Sequence, residues 1–277
     1  MATKVKAVKK PGISDAFKQE VRGLVASTID QYFKATLGTE QGVVDYFMAL
    51  IQEESGYRPG VTGISVSEVP TARQAKASSG AKSYMSSQVI KNILATGTPQ
   101  QRANVQSGKV AQGLTQCMGW NIVRGASGSG KCLVEETGRA DLIAALCVNA
   151  GDSIEAKLLG SENIPTNILA GLTVLDSKYK AARKASGGWR VYGGAVFSTR
   201  IAASVGAYLG TSVDVATGKT VQSYVQDIVG GNSYVKANGD SAGTGGTATK
   251  TALNATTGPT TNAPTNSVSI PGCSKAA

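Results

Sequence analysis

The sequence predicts a mainly α-helical protein with an extended basic N-terminal arm and a low-complexity C-terminal tail. Apolar residues recur at helical spacing in several segments, capping residues and glycines bound those segments, and 41% of the 277 residues are hydrophobic. A chain of this length can bury the core of one large domain or two small ones. We expect a folded domain over residues 13–230, an arm over residues 1–12 and a tail over residues 231–277.

The basic arm precedes two predicted helices. Four lysines lie between residues 4 and 10 with no apolar segment after them, so the arm lacks the pattern of a secretory signal. The first helix is predicted over residues 14–38, with Ser14 as its N-cap and Gly38 as its end. The second is predicted over residues 39–56, where apolar side chains again recur at helical spacing.

The middle of the chain is polar and then becomes helical again. Residues 57–112 are rich in Ser, Ala, Gln and Lys, and a short helix is predicted near residues 86–95. A glycine-rich loop over residues 125–131 precedes an Ala/Leu-rich helix. An amphipathic helix is predicted over residues 166–186, because apolar side chains share one of its faces: Ile168, Leu172, Leu175 and Tyr179.

Two final helices are predicted over residues 199–209 and 218–229, and the composition changes after them. Residues 239–277 contain nine Thr, six Gly, no aromatic residue and only three charged residues. Such a segment cannot bury enough apolar surface to fold alone. We therefore expect it to need a partner, such as a neighbour in a large assembly, in order to adopt a fixed structure.

Histidine is absent, and its absence excludes several classes of site. A Ser-His-Asp or Cys-His nucleophilic site, a His-ligated zinc ion and a histidine general base are all impossible. An enzyme of this composition must move protons with a carboxylate, Lys, Tyr or a bound ion. The 28 basic and 18 acidic residues give a net charge of +10. This charge either serves solubility or indicates an acidic partner: nucleic acid, an anionic wall polymer or a protein surface.

The four cysteines, Cys117, Cys132, Cys147 and Cys273, contain no CxxC pair. Without histidine, this pattern does not predict a zinc site. Free buried thiols are expected, with one disulfide as the alternative. No segment reaches the length of about 18 apolar residues that a membrane-spanning helix needs.

Adjacent glutamates near the end of the second helix fall on different faces. Glu54 continues the apolar stripe, whereas Glu53 aligns with Tyr46 and Ala49. Glu54 is therefore predicted to be partly buried, a setting that raises the pKa of a carboxyl group and suits a general acid working near neutral pH. The alternative is a capped or salt-bridged glutamate near a helix C-terminus.

Four short motifs occur in a fixed order along the chain. Glu-Ser-Gly-Tyr-Arg-Pro ends the second helix at residues 54–59, and Gly-Leu-Thr-Gln follows at residues 113–116. Asn-Ile-Leu-Ala-Gly-Leu then occupies residues 167–172, and Tyr-Val lies at residues 224–225. This order resembles the lytic transglycosylases of the lysozyme superfamily, whose pattern runs from Glu-Ser through Gly-Leu-Met-Gln and Asn-Ile-x-x-Gly to a Tyr-Val helix. Goose-type lysozymes and type IV secretion-associated transglycosylases share this frame.

The resemblance covers residues 39–230 and implies a lysozyme-like helical domain that needs neither a metal nor a cofactor. It implies that Glu54 is the single catalytic acid and base. The residues that it assigns to substrate binding are Ser55, Gly113, Leu114, Gln116 and Tyr224, the last by a hydrogen bond near the catalytic carboxylate.

The chain departs from the family pattern in three places. About 55 residues separate the first two motifs, so residues 60–112 are interpreted as an insertion. Thr115 replaces the methionine of the second motif. The Ala-Tyr-Asn stretch expected near residues 203–206 lacks its Tyr and Asn, although Tyr208 lies nearby.

The function that follows from the resemblance is cleavage of the β-1,4 bond between MurNAc and GlcNAc in peptidoglycan. Ordinary glycosidases use two carboxylates, and no second one is evidently paired with Glu54. In this family the substrate's own N-acetyl and 6-hydroxyl groups assist, which gives a 1,6-anhydro product. A bacteriophage tail or baseplate would carry the enzyme to the host cell wall and periplasm, with other virion proteins as partners. The alternative is a catalytically inactive structural virion protein on the same scaffold.

Two further patterns are interpreted as non-functional. Residues 125–132 read GASGSGKC and nearly match a phosphate-binding loop, but Cys132 stands where Ser or Thr would hold magnesium, so a surface loop is favoured. Basic residues cluster at the end of the helix over residues 166–186 without interleaved aromatic residues. No nucleic-acid partner is therefore expected.

Overall fold

The computed structural model describes residues 13–64, 84–85, 95–96, 110–124, 131–149, 152–192, 194–209 and 220–238. Within these residues the protein is mainly helical, as the sequence predicts. The predicted arm, the glycine-rich stretch over residues 125–130, and residues 239–277 lie outside the described residues. So does most of the predicted helix near residues 86–95. No helix among those described is both long and apolar enough to cross a membrane.

Helix α1 (Asp15–Tyr32) begins where the sequence predicts and ends earlier. The hydroxyl of Ser14 accepts a hydrogen bond from the Phe17 amide at 3.2 Å, which satisfies one of the free donors of the first turn. The helix ends at Phe33 rather than at Gly38. The chain leaves the helix there because the side chains of Phe33 and Leu37 are both buried in the core. A short 3-10 turn over Leu37–Thr39 follows.

Helix α2 (Val43–Glu54) leads into the first motif, and most of its residues are buried. It begins after Gly42, whose φ of 75° is a left-handed conformation that glycine adopts without steric cost. The helix stops at Ser55, and both Gly56 and Tyr57 then adopt positive φ angles. Tyr57 is held in this conformation by burial and by a hydrogen bond from its hydroxyl to the Met48 carbonyl at 2.9 Å.

A four-stranded antiparallel sheet connects the first two motifs. Its strands are β1 (Thr62–Ile64), β2 (Tyr84–Met85), β3 (Val110–Gln112) and β4 (Cys117–Met118), in the order β2-β1-β3-β4. Thr62 pairs with Gln112, so the two ends of the predicted insertion lie side by side. A long insertion is compatible with the domain because the chain enters and leaves the insertion on two neighbouring strands, β1 and β3.

Helices α3 (Leu133–Glu136), α4 (Ala140–Leu146) and α5 (Glu155–Leu158) lead to the long helix α6 (Ile164–Ala181). The predicted apolar stripe of α6 is buried, and so is much of its remaining surface. The helix ends at residue 181 rather than 186, because the next residues form a hairpin. Its strands are β5 (Ala182–Ala185) and β6 (Gly188–Val191), and Gly187 and Gly188 supply the positive φ angles of the turn.

Helices α7 (Arg200–Tyr208) and α8 (Val221–Val229) agree with the two predicted final helices. Helix α9 (Asn232–Asn238) follows and was not predicted. It packs against α2 and buries Ser233 and Tyr234. Helix α9 thus lies beyond residue 230, where the domain is predicted to end. Composition misses this short helix because its burial depends on a sharp reversal at Gly231, where a Cβ atom would lie 2.7 Å from the Gln226 carbonyl oxygen.

Three of the four cysteines lie in the described part of the chain, and all three are free thiols. Cys117 and Cys132 are buried, and Cys147 is half-buried. The sulfur atoms of Cys132 and Cys147 are 3.7 Å apart, between the start of α3 and the end of α4. The expectation of free buried thiols is therefore met for Cys117 and Cys132, whereas Cys147 is free but half-buried. Cys273 lies outside the described part.

Cys117 is expected to make stability fall at alkaline pH. Burial raises the pKa of its thiol from 9.0 to about 12, so the folded state keeps a proton that the unfolded chain loses. This contribution to stability is complete below about pH 9 and is lost as the pH rises towards 12. Between pH 8 and pH 10, the free energy of unfolding should fall by about 1 kcal/mol less in Cys117→Ala than in wild type. Urea denaturation at each pH provides the measurement.

Cys117→Ser provides the second variant, because it nearly preserves side-chain size and does not titrate in this range. Both variants should show the same weakened pH dependence even if their stabilities at pH 7 differ. A wild-type pH dependence in both would show that the thiol does not contribute.

Candidate active site

The end of α2 brings the predicted catalytic carboxylate against a buried tyrosine. Glu54 is half-buried, as the sequence predicts, and its Oε1 accepts a hydrogen bond from the hydroxyl of Tyr224 on α8. Only 2% of Tyr224 is exposed. Burial, followed by the negative charge of Glu54, raises the pKa of Tyr224 well above its ordinary value. Tyr224 therefore stays protonated near neutral pH and remains a hydrogen-bond donor to this carboxylate.

A second tyrosine lies within electrostatic reach of the same carboxylate. Tyr208, near the end of α7, donates its hydroxyl hydrogen to the Thr115 carbonyl at 2.8 Å. Burial raises the pKa of Tyr208 well above its ordinary value, and electrostatic interactions with Cys117 and Glu54 add to the effect. The Ala-Tyr-Asn stretch of the family pattern has a tyrosine that this chain lacks near residues 203–206, and Tyr208 lies close to that position in the sequence. This closeness was the one sequence signal that pointed to Tyr208.

Glu53 is more deeply buried than its neighbour, which the helical pattern did not predict. Only 8% of Glu53 is exposed, and its Oε2 accepts a hydrogen bond from the Ser233 hydroxyl at 2.5 Å. The pattern correctly separated the two glutamates onto different faces of α2. The burial of Glu53 comes from α9, which covers its face of α2 and which the helical pattern did not include.

The loop after β3 carries the second motif in a strained, closely packed conformation. Gly113 has a φ of 75°, and a Cβ atom there would lie 2.3 Å from Nδ2 of Asn167. Leu114 and Thr115 are fully buried. Gln116 has a φ of 49°, which is uncommon for a residue other than glycine. Only glycine fits at the first position of this loop, because any side chain would displace Asn167.

Asn167, at the start of the third motif, holds this loop in place with its side-chain amide. Its Oδ1 accepts hydrogen bonds from the amide and hydroxyl of Thr115 at 2.9 and 3.0 Å. Its Nδ2 donates to the carbonyl oxygens of Gln112 at 2.8 Å and Leu158 at 3.1 Å. Thr115 in turn packs on Gly171, where a Cβ atom would lie 2.6 Å from that of Thr115. The second and third motifs therefore form one hydrogen-bonded unit.

Several residues predicted to bind substrate make contacts within the protein. Nε2 of Gln116 donates to the carbonyl oxygens of Gly113 at 2.7 Å and Val61 at 3.0 Å, which ties the loop to the start of β1. Ser55 is fully buried and donates its hydroxyl hydrogen to the Ile51 carbonyl at 3.2 Å. These contacts position the loop and the end of α2. Substrate binding by Ser55, Gly113, Leu114, Gln116 and Tyr224 stays a prediction.

The chemistry available at this site is proton transfer by a carboxyl group beside a hydroxyl donor. The described residues contain no cluster of three or more Cys, Asp and Glu side chains that could hold a metal ion. Cys132, the last residue of the motif that nearly matches a phosphate-binding loop, lies at the N-cap of the four-residue helix α3. The glycines of that motif lie outside the described residues.

Comparisons with models of protein families, with curated proteins and with solved structures find no match to this chain. A functional assignment therefore depends on the order of the four motifs and on the contacts described above. Those contacts join Glu54 to Tyr224 and the loop over residues 113–116 to Asn167 and Tyr208.

Asn167→Ala should destabilise the protein by about 3 kcal/mol in urea denaturation, because it leaves several buried hydrogen-bonding groups without partners. Asn163→Ala is the matched control. The Asn163 side chain donates one hydrogen bond, to the Leu159 carbonyl at 2.7 Å, in a partly buried setting. Its loss should cost about 1 kcal/mol. Equal effects of the two substitutions would contradict the role assigned to Asn167.

Proposed function

We propose that this protein is a peptidoglycan lytic transglycosylase with a lysozyme-like helical fold. Its substrate would be the β-1,4 bond between MurNAc and GlcNAc. The observation that carries the proposal is the hydrogen bond from Tyr224 to Glu54, which joins the first and last motifs across 170 residues of sequence. A half-buried carboxyl group with a fixed orientation is suited to general acid and base catalysis.

In the proposed reaction Glu54 acts twice. As an acid it donates its proton to the glycosidic oxygen while the bond from that oxygen to the anomeric carbon breaks. As a carboxylate it then accepts the proton of the sugar's 6-hydroxyl while that oxygen bonds to the anomeric carbon. The product is a 1,6-anhydro sugar, no water is consumed, and Glu54 regains its initial protonation state.

The geometry of α2 favours a mechanism with one carboxylate. Retaining and inverting glycosidases place two carboxyl groups on either side of the scissile bond. The nearest acid in sequence, Glu53, is on another face of α2 and accepts a hydrogen bond from Ser233 beneath α9. It therefore cannot share a substrate with Glu54 without displacement of that helix.

The setting in which such an enzyme would act is proposed from charge and composition. A net charge of +10 suits attraction to an anionic cell wall. The basic arm and the threonine- and glycine-rich tail suit attachment to neighbours in an assembly. We therefore place the protein in a bacteriophage tail or baseplate, where it would open the host cell wall at the periplasm, with glycan strands and other virion proteins as partners.

A structural virion protein without activity is the second candidate, and one observation favours it. Ser55 and Leu114 are fully buried, and both amide hydrogens of Gln116 are donated to backbone carbonyls. These motif residues therefore stabilise the domain whether or not it binds a glycan.

Zymography on purified peptidoglycan separates the two candidates. Wild-type protein should clear the substrate, and Glu54→Gln should clear none because the amide can neither donate nor accept the transferred proton. Glu53→Gln is the matched control, since it neutralises the adjacent acid, and it should retain most of the activity. Mass spectrometry should identify 1,6-anhydro muropeptides. A folded wild-type protein that clears nothing would overturn the enzymatic proposal in favour of the structural one.

Tyr224→Phe should lower kcat by about tenfold, because the carboxyl group of Glu54 loses the hydrogen bond that orients it. Tyr46→Phe is the control, since Tyr46 is half-buried on the Glu53 side of α2. Steady-state rates on soluble glycan fragments provide the measurement. Rates that fall equally in both variants would argue against a specific role of Tyr224.

A further inference from the structure

The hairpin of β5 and β6 places two arginines side by side on its solvent face. Arg183 and Arg190 are directly paired across the antiparallel strands, and both are exposed. Among the described residues neither forms an ion pair with a carboxylate. Like charges at directly opposed positions destabilise a strand pair. The repulsion between these two cations is relieved when an anion binds beside them. Nη1 of Arg183 donates to the carbonyl oxygens of Lys180 at 2.5 Å and Ala182 at 3.2 Å, so its Nε and Nη2 groups are the ones that would contact such an anion.

An exposed aromatic ring follows immediately after this pair. Tyr192 is 69% exposed, and its φ of 52° is a left-handed conformation that is rare for a bulky residue. Nζ of Lys178 lies 5.5 Å from the centroid of its ring. Backbone strain of this kind persists where the surrounding structure imposes it, and it is enriched at ligand-binding positions. The hairpin thus presents a flat aromatic surface beside cations.

A second pair of cation and aromatic ring lies on the other face of the hairpin. Nζ of Lys184 is 4.5 Å from the ring centroid of Trp189, and the Arg200 guanidinium is 5.3 Å from it. No aromatic residues are interleaved with the basic residues at the end of α6. Trp189 of β6 and Tyr192 after it supply aromatic rings beside them in the folded structure. This arrangement removes the reason for expecting no nucleic-acid partner.

Acidic groups near the hairpin do not neutralise these cations. Asp176 is 3% exposed and pairs with Lys180 at 2.7 Å. Glu40 accepts a hydrogen bond from the Tyr179 hydroxyl beneath the hairpin. A positive surface therefore remains, which we call the hairpin surface; its residues are Lys178, Arg183, Arg190 and Tyr192.

We infer that the hairpin surface binds single-stranded nucleic acid. Guanidinium groups pair with phosphate oxygens through two parallel hydrogen bonds, so Arg183 and Arg190 suit adjacent phosphates of one strand. The exposed ring of Tyr192 suits stacking by an unpaired base, which does not depend on base identity. A wall polymer of polyol phosphate has no base to stack, so the aromatic ring favours nucleic acid. The inference is independent of the proposed enzymatic function.

Fluorescence anisotropy of the full chain with a labelled 20-nucleotide poly(dT) tests the inference. Arg183→Ala/Arg190→Ala should weaken binding at least tenfold and reduce the slope of log affinity against log salt concentration by about 1 to 2. Lys34→Ala/Lys131→Ala is the matched control, because it removes the same charge from exposed positions elsewhere. Its affinity should change less than threefold.

Tyr192→Ala provides the readout that separates stacking from charge. It should weaken binding by about fivefold or more while leaving the salt slope unchanged, because it removes no cation. Unchanged melting temperatures would show that the variants are folded.

Three outcomes would overturn the inference. One is no binding of the oligonucleotide by wild type at 50 mM salt. Another is an equal loss in the Lys34→Ala/Lys131→Ala control, which would indicate diffuse attraction. The third is wild-type affinity in Tyr192→Ala together with equally strong competition by poly(glycerol phosphate), which would identify the surface as a site for wall polymers instead.

Discussion

The buried side chain of Asn167 uses its complete hydrogen-bonding capacity, and the arrangement of the site depends on it. Its oxygen accepts two hydrogen bonds from Thr115, and its nitrogen donates one each to Gln112 and Leu158. An asparagine amide offers two donors and two acceptor positions, so none is left unsatisfied. These bonds tie the loop over residues 113–116 to α6, a helix that is buried over most of its length.

That loop in turn determines what surrounds the carboxylate at the end of α2. Thr115 offers its carbonyl to Tyr208, and Gln116 connects the loop to Val61 at the start of the sheet. Tyr208 and Tyr224 approach Glu54 from α7 and α8, and burial keeps both phenols protonated. The carboxylate therefore accepts a hydrogen bond from Tyr224, while the nearby Tyr208 donates its hydroxyl hydrogen to the Thr115 carbonyl.

Helix α9 gives the two neighbouring glutamates different environments. It covers one face of α2, so Glu53 accepts the Ser233 hydroxyl in a buried setting, while Glu54 remains half-buried on another face. The same helix is linked to α1, since Lys18 donates to the Lys236 carbonyl at 2.9 Å. Helix α9 thus completes the packing around α2 and gives its two C-terminal glutamates different surroundings.

Helical periodicity in the sequence determined the mainly α class, the N-cap at Ser14 and the positions of α6, α7 and α8, because burial along a helix follows local spacing. Motif order singled out Glu54 and Tyr224, which the structure joins by a hydrogen bond, and the loop over residues 113–116, which it joins to Asn167. Only the tertiary structure decided the burial of Glu53, the approach of Tyr208 and the pairing of Arg183 with Arg190. The burial of Glu53 depends on the chain reversal at Gly231, and the pairing of the two arginines depends on the one at Gly187. The approach of Tyr208 depends on the reversal between α6 and α7. Spacing along one helix contains no information about which later segment will cover it.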